Sequence, residues 1–496
     1  MKDFFANKYV KWTLGVLGVL SVLVLIVGSY FNIMFVDSAI LLVEMERIAE
    51  GYIPYETLHL NYPPLWFYIN VALKKLFHVP YGCYHFYLTI HWLYAIGCAT
   101  CLYYISKKWS ANNYISVFVV WLFFMLTQWR FGNFIIFEIP SVFWGLLAVS
   151  LFLKWENRKP AWQIIVGVFS CCAFLTKQFG AGFLLLVLWL ILTSASSNKW
   201  KQAGYYLLGY CIPLLICLAC WGTNMYQSIL FNGYGTDAMV AYLGIKHSKL
   251  VNILKNLFNF LNYSVPFVYV AIILLPTIFK QNQWREGLFC FFGIGGFLLQ
   301  FYFAIGDGNH YFLYMIPFAL LLIPIILTLD LQKYVQGVMW AAIALTVAFG
   351  FYTAYYNRVW KYYLRGAKQD YENQWKMGEQ ISNIVQEGET VFIPHVLQFA
   401  YYTANLYPSC MAEIGYGCGP MEMTIAKTAK CVSEADYVLH FTHQFRRSQL
   451  PESWKGKDYE YTDSIQQYVD QFPSDTFGTT VVLHYLNRPK LKQSVE

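Results

Sequence analysis

Long apolar runs interrupted by single charges fill the chain from residue 12 to residue 357. A bilayer core requires about 20 apolar residues per helix, and a charge inside it is costly, so the gaps between charges outline membrane spans. Two gaps, 139–153 and 160–176, are at or below the length that a span requires. The pattern predicts an α-helical polytopic membrane protein with about eleven transmembrane helices, within 12–36, 76–106, 109–129, 139–153, 160–176, 178–198, 202–236, 256–279, 287–306, 308–329 and 334–357.

The composition agrees with a membrane protein. Hydrophobic residues make up 57% of the 496 residues, charged residues make up only 13%, and the mean hydropathy is +0.41. Such a chain has too little polar surface for a soluble globule, so membrane lipids are its expected surroundings. Basic residues at the span ends account for the net charge of +7, so we expect no nucleic-acid partner.

Basic residues also mark every second connection between the predicted spans. Because Lys and Arg near span ends are retained on the cytoplasmic side, the N-terminus is predicted to be cytoplasmic and the C-terminus extracytoplasmic. The first apolar stretch is longer than the core of a signal peptide, and no A-x-A site follows it, so we expect a retained helix in a cytoplasmic membrane. The basic connections contain Lys2, Lys8, Lys11, Lys107, Lys108, Lys154, Arg158, Lys159, Lys199, Lys201, Lys280, Arg285 and Lys333.

Past Arg358 the charge density rises and the long apolar runs stop. We therefore predict a transmembrane domain over 1–357 and an extracytoplasmic α/β domain over 358–496, which would serve as an accessory lid or acceptor platform. This prediction rests on amphipathic stretches that alternate with short β-type runs, at 373–386, 390–394, 421–435, 437–442 and 479–485. In an oxidising compartment, two of Cys410, Cys418 and Cys431 can form a disulfide, and the sequence leaves the pair open.

Two connections on the predicted outer side are long, 37–75 and the region around 223–262, and function often collects in such loops. Within the first, 37–50 mixes apolar residues with Glu44, Glu46 and Arg47, which predicts an amphipathic helix along the membrane interface. Its first residue, Asp37, lies where the first span leaves the lipid.

The strongest candidate for chemistry is Asp37 followed by GYIPYETLHLNYPPLWFY at 51–68, an acid and then a segment rich in Gly, Pro and Tyr. Further elements follow in order: Gly51, Pro54-Tyr55, Pro63-Pro64-Leu65, Glu138 with Pro140, Leu175-Thr176-Lys177-Gln178, and His310-Tyr311 with Pro317. Over roughly residues 12–330 this order resembles the GT-C glycosyltransferases. The resemblance is closest to the bacterial branch related to protein O-mannosyltransferases and lipid A aminoarabinose transferases. One departure is Ser38, which follows Asp37 where many relatives have a second acid.

The resemblance implies an integral membrane glycosyltransferase with a polyprenyl-phosphate-linked monosaccharide as donor and a glycan, lipid or protein as acceptor. Asp37 would be the general base, removing the acceptor proton while the anomeric carbon loses its polyprenyl phosphate with inversion. A carboxylate at the membrane boundary can reach both a lipid-borne donor and an aqueous acceptor, and such a base contributes about 10²–10⁴ in rate. The alternative role for Asp37 is to cap the start of a helix.

Two charged residues are expected to bind substrate beside Asp37. Lys177 is the only charge between Lys159 and Lys199 and would neutralise the donor phosphate, or else extend to the membrane interface. Glu138 would orient the sugar, hold a divalent cation or share the role of base, or else be an ordinary boundary carboxylate.

The uncharged candidates are Gln178, His310, Tyr311, Tyr55 and Tyr62. His310 would donate to phosphate or sugar oxygens, with a turn-forming loop as its alternative. Tyr55 and Tyr62 would stack on the sugar or the isoprenoid, or else belong to an interfacial aromatic belt.

Two other functions stay open. A transporter or flippase of lipid-linked sugars would place ionisable residues in the middle of the bilayer. An oligosaccharide polymerase or ligase would use a diphosphate-linked donor. The chain has no DxD cluster, so we expect no metal site and no cofactor, with a divalent cation as the only one left open.

Overall fold

A computed structural model describes residues 8–30, 36–56, 58, 60, 62–129, 135–233, 251, 254–255, 257–258, 260–261, 265–303, 311–352, 368–393, 399–409, 431–441, 468–477 and 481–486. Residues 234–250 of the predicted outer loop around 223–262, and most of the predicted amphipathic stretch 421–435, lie outside these residues. The junction between the two predicted domains, at 357 and 358, lies outside them too, so the domain boundary stays a prediction.

The described part of the chain is mainly helical. Its helices are α1 (Lys8–Tyr30), α2 (Val36–Glu50), α3 (Leu65–Leu76), α4 (Tyr84–Ser110), α5 (Asn113–Trp129), α6 (Glu138–Trp155), α7 (Gln163–Thr176), α8 (Gly182–Leu192), α9 (Lys199–Gly233), α10 (Phe267–Ile273), α11 (Leu275–Lys280), α12 (Trp284–Phe303), α13 (Phe312–Thr328), α14 (Lys333–Phe351), α15 (Lys368–Ser382) and α16 (Phe399–Thr403). Two 3-10 turns, Pro160–Trp162 and Gln178–Ala181, precede α7 and α8.

Each predicted span coincides with one or two of these helices. Among the described residues, four stretches are long and apolar enough to cross a membrane, and they are Tyr84–Ser110, Glu138–Trp155, Lys199–Gly222 and Lys333–Phe351. The doubtful span 139–153 is thus long enough, since α6 extends it at both ends. Shorter apolar helices occupy five of the other predicted positions, so the protein is a multi-helix membrane chain and the total of eleven spans stays a prediction.

Helix α7 packs closely on α9. A Cβ on Gly167 would lie 2.0 Å from the Tyr206 carbonyl oxygen, so only glycine allows the two backbones to approach this closely. Small residues at helix contacts are typical of membrane bundles, where packing replaces the hydrophobic effect. The Tyr206 hydroxyl then bonds to Ser170 on α7, with 2.8 Å between the oxygens.

A small mixed sheet follows the helical part. Its strand order is β2-β1-β3-β5-β4, from β1 (Thr390–Phe392), β2 (Tyr407–Pro408), β3 (Tyr437–Phe441), β4 (Ser474–Phe477) and β5 (Val481–Tyr485). Strand β1 is parallel to β2 and β3, whereas β5 is antiparallel to β3 and β4. The three predicted strands are present, and the two unpredicted ones lie at the edges. Cys431 takes part in a disulfide, while Cys410 and Cys418 lie outside the described residues.

Helix α2 lacks the water-exposed polar face that its amphipathic pattern predicted. The helix is present, but Glu44, Glu46 and Arg47 are each at most 1% exposed, as are its apolar residues Leu42 and Val43. An interfacial helix would leave its polar face in water. Here the polar face is covered by α3, α4 and the segment around α16, and Glu46 and Arg47 find their partners inside the protein.

Candidate functional site

Glu138 and Lys177 form an ion pair inside the helix bundle. The Lys177 ammonium donates to the Glu138 carboxylate, and the two residues are 3% and 1% exposed, respectively. Removing two charges from water is costly and is tolerated when each compensates the other. The alternative of a lysine that extends to the membrane surface is therefore wrong, and so is that of an ordinary boundary carboxylate at Glu138.

A break in the helix places Lys177 at this position. Helix α7 ends at Thr176, Lys177 is extended (φ −152°, ψ 137°), and the 3-10 turn Gln178–Ala181 leads into α8. The turn folds back on α7 so closely that a Cβ on Gly180 would lie 2.1 Å from the Ala173 carbonyl oxygen. Ser141 on α6 donates to the same carbonyl at 2.8 Å, which fixes the break beside Glu138.

Three aromatic rings surround the Lys177 ammonium. Its nitrogen lies 4.8 Å from the ring centre of Tyr311, 5.3 Å from that of Tyr62 and 6.0 Å from that of Phe179. Aromatic faces attract a cation at such distances, most strongly away from water. The Tyr55 hydroxyl donates to the Tyr62 carbonyl at 2.7 Å and so joins the same group. The aromatic belt expected for Tyr55 and Tyr62 is thus replaced by a cluster around a buried cation.

The start of helix α2 contacts the segment that precedes Glu138. Asp37 lies in its first turn, and the hydroxyl of the next residue, Ser38, donates to the Ile135 carbonyl at 2.9 Å. Ile135 is three residues before Glu138, so the starts of α2 and α6 are adjacent. The structure describes the backbone of Asp37 but not its side chain.

Of the remaining candidates, Gln178 is described by the structure and His310 is not. Gln178 is buried in the 3-10 turn, and its side-chain oxygen has no hydrogen-bond partner among the residues described. His310 lies outside the described residues, one position before Tyr311. Within the described ranges, no three His, Cys, Asp or Glu residues are grouped so as to hold a metal ion.

Sequence reasoning missed a second buried charge cluster on α2. Glu46 accepts from the Lys74 ammonium and, at 3.1 Å, from the Tyr87 hydroxyl. Glu44 is fully buried, and neither of its carboxyl oxygens has a partner in the part of the chain that the structure describes. The only signal was the excess of charge in an otherwise apolar helical pattern, which a solvated face explains equally well.

Burial raises the pKa of the Glu44 carboxyl well above its ordinary value of about 4.3. The folded protein therefore holds a proton that the unfolded chain releases at neutral pH, and this contribution to stability falls as pH rises from about 4.3 toward the raised pKa. We expect Glu44→Gln to lose less thermal stability than the wild type between pH 5 and pH 8. Melting curves across this range test the expectation. Glu379→Gln, at an exposed position, is the control, and its melting temperature should change with pH as that of the wild type does. Parallel slopes for Glu44→Gln and the wild type would contradict it.

The described residues have the GT-C fold, as the sequence resemblance predicted. The structure is similar to that of ArnT from Cupriavidus metallidurans bound to undecaprenyl phosphate, with a TM-score of 0.60 and 12% sequence identity over 96% of this chain and 98% of that one. The apo state of that protein gives a TM-score of 0.58 over 97% and 99%, also at 12% identity.

The archaeal oligosaccharyltransferase AglB from Archaeoglobus fulgidus, solved with an inhibitory peptide and a dolichol-phosphate, is similar with a TM-score of 0.54 and 9% identity. The match covers 94% of this chain and 73% of AglB. No protein-family model matches the sequence, and no curated protein sequence matches it. At such identities the likeness concerns the fold.

Proposed function

We propose that the protein is a membrane glycosyltransferase that moves a monosaccharide from a polyprenyl-phosphate carrier to an acceptor. The observation that carries this proposal is the buried Lys177 ammonium, which is held by Glu138 and surrounded by aromatic rings. The fold supports it, because one structure with this fold contains undecaprenyl phosphate and another contains a dolichol-phosphate.

Lys177 would neutralise the phosphate of the donor. Breaking the bond between the anomeric carbon and the phosphate oxygen builds negative charge on the leaving group, and a fixed cation away from water stabilises that charge. Glu138 holds the ammonium in place before the donor arrives, and the phosphate then takes over part of its hydrogen bonding. We propose this cation, rather than a divalent metal ion, as the counter-charge.

Asp37 would act as the general base. Its carboxylate takes the proton from the acceptor hydroxyl, the acceptor oxygen forms a bond to the anomeric carbon, and polyprenyl phosphate leaves from the opposite face. The configuration therefore inverts in a single displacement. The support for this role is the position of Asp37 in the first turn of α2, one residue from the contact with Ile135.

The aromatic and amide groups would bind the sugar and the start of the isoprenoid. Tyr62 and Tyr311 present rings beside the cation, and Tyr55 holds the Tyr62 backbone. The Gln178 side-chain oxygen, which lacks a partner among described groups, is suited to accept from a sugar hydroxyl. His310 would donate to the phosphate or the sugar.

The site would then lie on the extracytoplasmic side of a cytoplasmic membrane, with the N-terminus inside and the sheet region outside, since the basic connections favour the cytoplasmic side. We propose that orientation because polyprenyl-linked sugars presented there can meet a glycan, lipid or protein acceptor.

Transfer assays in proteoliposomes test the proposal. Purified protein is supplied with a panel of undecaprenyl-monophosphate-linked hexoses and pentoses, and with the matching diphosphates, together with cell-envelope acceptors. We expect release of undecaprenyl phosphate from a monophosphate donor, at a rate that EDTA leaves unchanged. Turnover of diphosphate donors alone would instead indicate a polymerase or ligase. Movement of the intact lipid across the bilayer without release would indicate a flippase.

A further inference from the structure

Arg47 connects α2 to the C-terminal part of the chain. It is completely buried, its guanidinium donates to the Leu406 carbonyl, and its central carbon lies 3.9 Å from the ring centre of Tyr407. The same guanidinium pairs with Glu50 at 2.6 Å. An arginine fork that stacks on a ring while it donates to a carbonyl and a carboxylate is held in one orientation.

The opposite side of the same helix turn is also fixed. Glu46 receives the Lys74 ammonium from α3 and the Tyr87 hydroxyl from α4. The turn between α3 and α4 touches the C-terminal region too, because the Tyr81 hydroxyl donates to the Tyr401 carbonyl at 3.1 Å. Segment 399–407 contains α16 and the start of β2. Together with α3 and α4, it therefore surrounds the second half of α2.

A continuous helix moves as a stiff unit, so contacts that hold one end of α2 also restrict movement of the other end. Asp37 and Arg47 are ten residues apart on α2, which corresponds to about 15 Å along a continuous helix. The Ser38 bond to Ile135 holds the first turn, and the Arg47 contacts hold the last. A shift of α2 along its axis would carry Asp37 with it, and the contacts of Arg47 with Leu406 and Tyr407 resist such a shift together with those of Glu46.

We propose that segment 399–407 positions α2 for the transfer reaction and that Arg47 is the positioning residue that carries this effect. The inference rests on the proposed function, since the reaction is the one assigned to Asp37. Arg47 itself touches no substrate. It acts because a base displaced by about 1 Å can lose on the order of 10²-fold in rate.

Arg47→Met and Tyr407→Ala test the inference through the separation of kcat from KM. Each should lower kcat by about 10–100-fold and leave the donor KM within about threefold, because the cation and rings that would bind the donor lie on other elements. Tyr407→Phe keeps the ring and should restore kcat to the wild-type value. Rates are expressed per folded, monodisperse molecule, so that lost protein does not count as lost activity.

Arg285→Met is the matched control. Arg285 also donates to a backbone carbonyl, that of Leu190 at 2.7 Å, and pairs with Glu156 at 2.8 Å, but it contacts neither α2 nor segment 399–407 through these bonds. Its variant should lose thermal stability and keep kcat. If Arg47→Met does not fold, Tyr407→Ala with its Tyr407→Phe counterpart decides.

Wild-type kcat in Tyr407→Ala would overturn the inference while the wild-type protein still transfers sugar. An equal loss of kcat in Arg285→Met would overturn it as well. A wild-type protein that transfers no sugar from any donor of the panel would overturn the proposed function itself, so the two failures are distinguishable.

Discussion

Asp37→Asn should lower kcat by about 10²–10⁴-fold with little change in the donor KM. The base acts on the acceptor proton in the transition state, so its loss removes an interaction that the bound donor does not yet make. Asparagine is as good as aspartate at a helix start, so the substitution keeps any capping role of Asp37. A loss of rate with an unchanged melting temperature would thus separate catalysis from capping.

Steady-state rates with the best donor of the panel measure this effect. Asp370→Asn is the matched control, since Asp370 also lies in the first turn of a helix, α15, and is exposed. It should keep the wild-type kcat. Full activity in Asp37→Asn would reject the role of Asp37 as base.

Lys177→Met should destabilise the folded protein by about 3–5 kcal/mol and abolish transfer. The substitution leaves the Glu138 carboxylate buried without its cation, which costs more than the pair itself contributes. Glu156→Gln breaks the ion pair with Arg285, in which the side chains of Glu156 and Arg285 are 17% and 16% exposed. It should destabilise the protein less, because water reaches both groups. Thermal melts in one detergent compare the two.

The double variant Glu138→Gln with Lys177→Met separates stability from function. The double variant leaves no uncompensated charge in the interior, so it should regain most of the stability that Lys177→Met loses. It should remain inactive, because the cation for the phosphate is still missing. Recovery of transfer together with stability would show that Lys177 is only structural.

The sequence predicted the helices of the bundle because charges are excluded from a bilayer core. The start of α6 at Glu138 and the end of α7 just before Lys177 follow directly from these two charges, which bound the apolar runs. The strand at 390–392 was equally readable, since its β-branched and aromatic residues contrast with the helical stretch before it. These signals are local, and a local pattern can be read without knowing which distant residues the segment contacts.

Pairing between distant residues was not readable. Glu138 and Lys177 are 39 positions apart, and either charge alone at a span end is compatible with contact to water. The polar residues of α2 misled for the same reason, because an amphipathic pattern does not say whether water or protein covers the polar side. The partners of Arg47 lie 359 and 360 positions further along the chain, at Leu406 and Tyr407.

Binding of undecaprenyl phosphate to the wild type and to the folded double variant tests the central claim most directly. A charged hydrogen bond contributes about 1.5–3 kcal/mol, which corresponds to about 10–150-fold in affinity. We predict saturable binding by the wild type and a loss of that size in Glu138→Gln with Lys177→Met, measured in nanodiscs at one ionic strength. Equal affinity in the two proteins would contradict the assignment of Lys177 as the group that binds the phosphate.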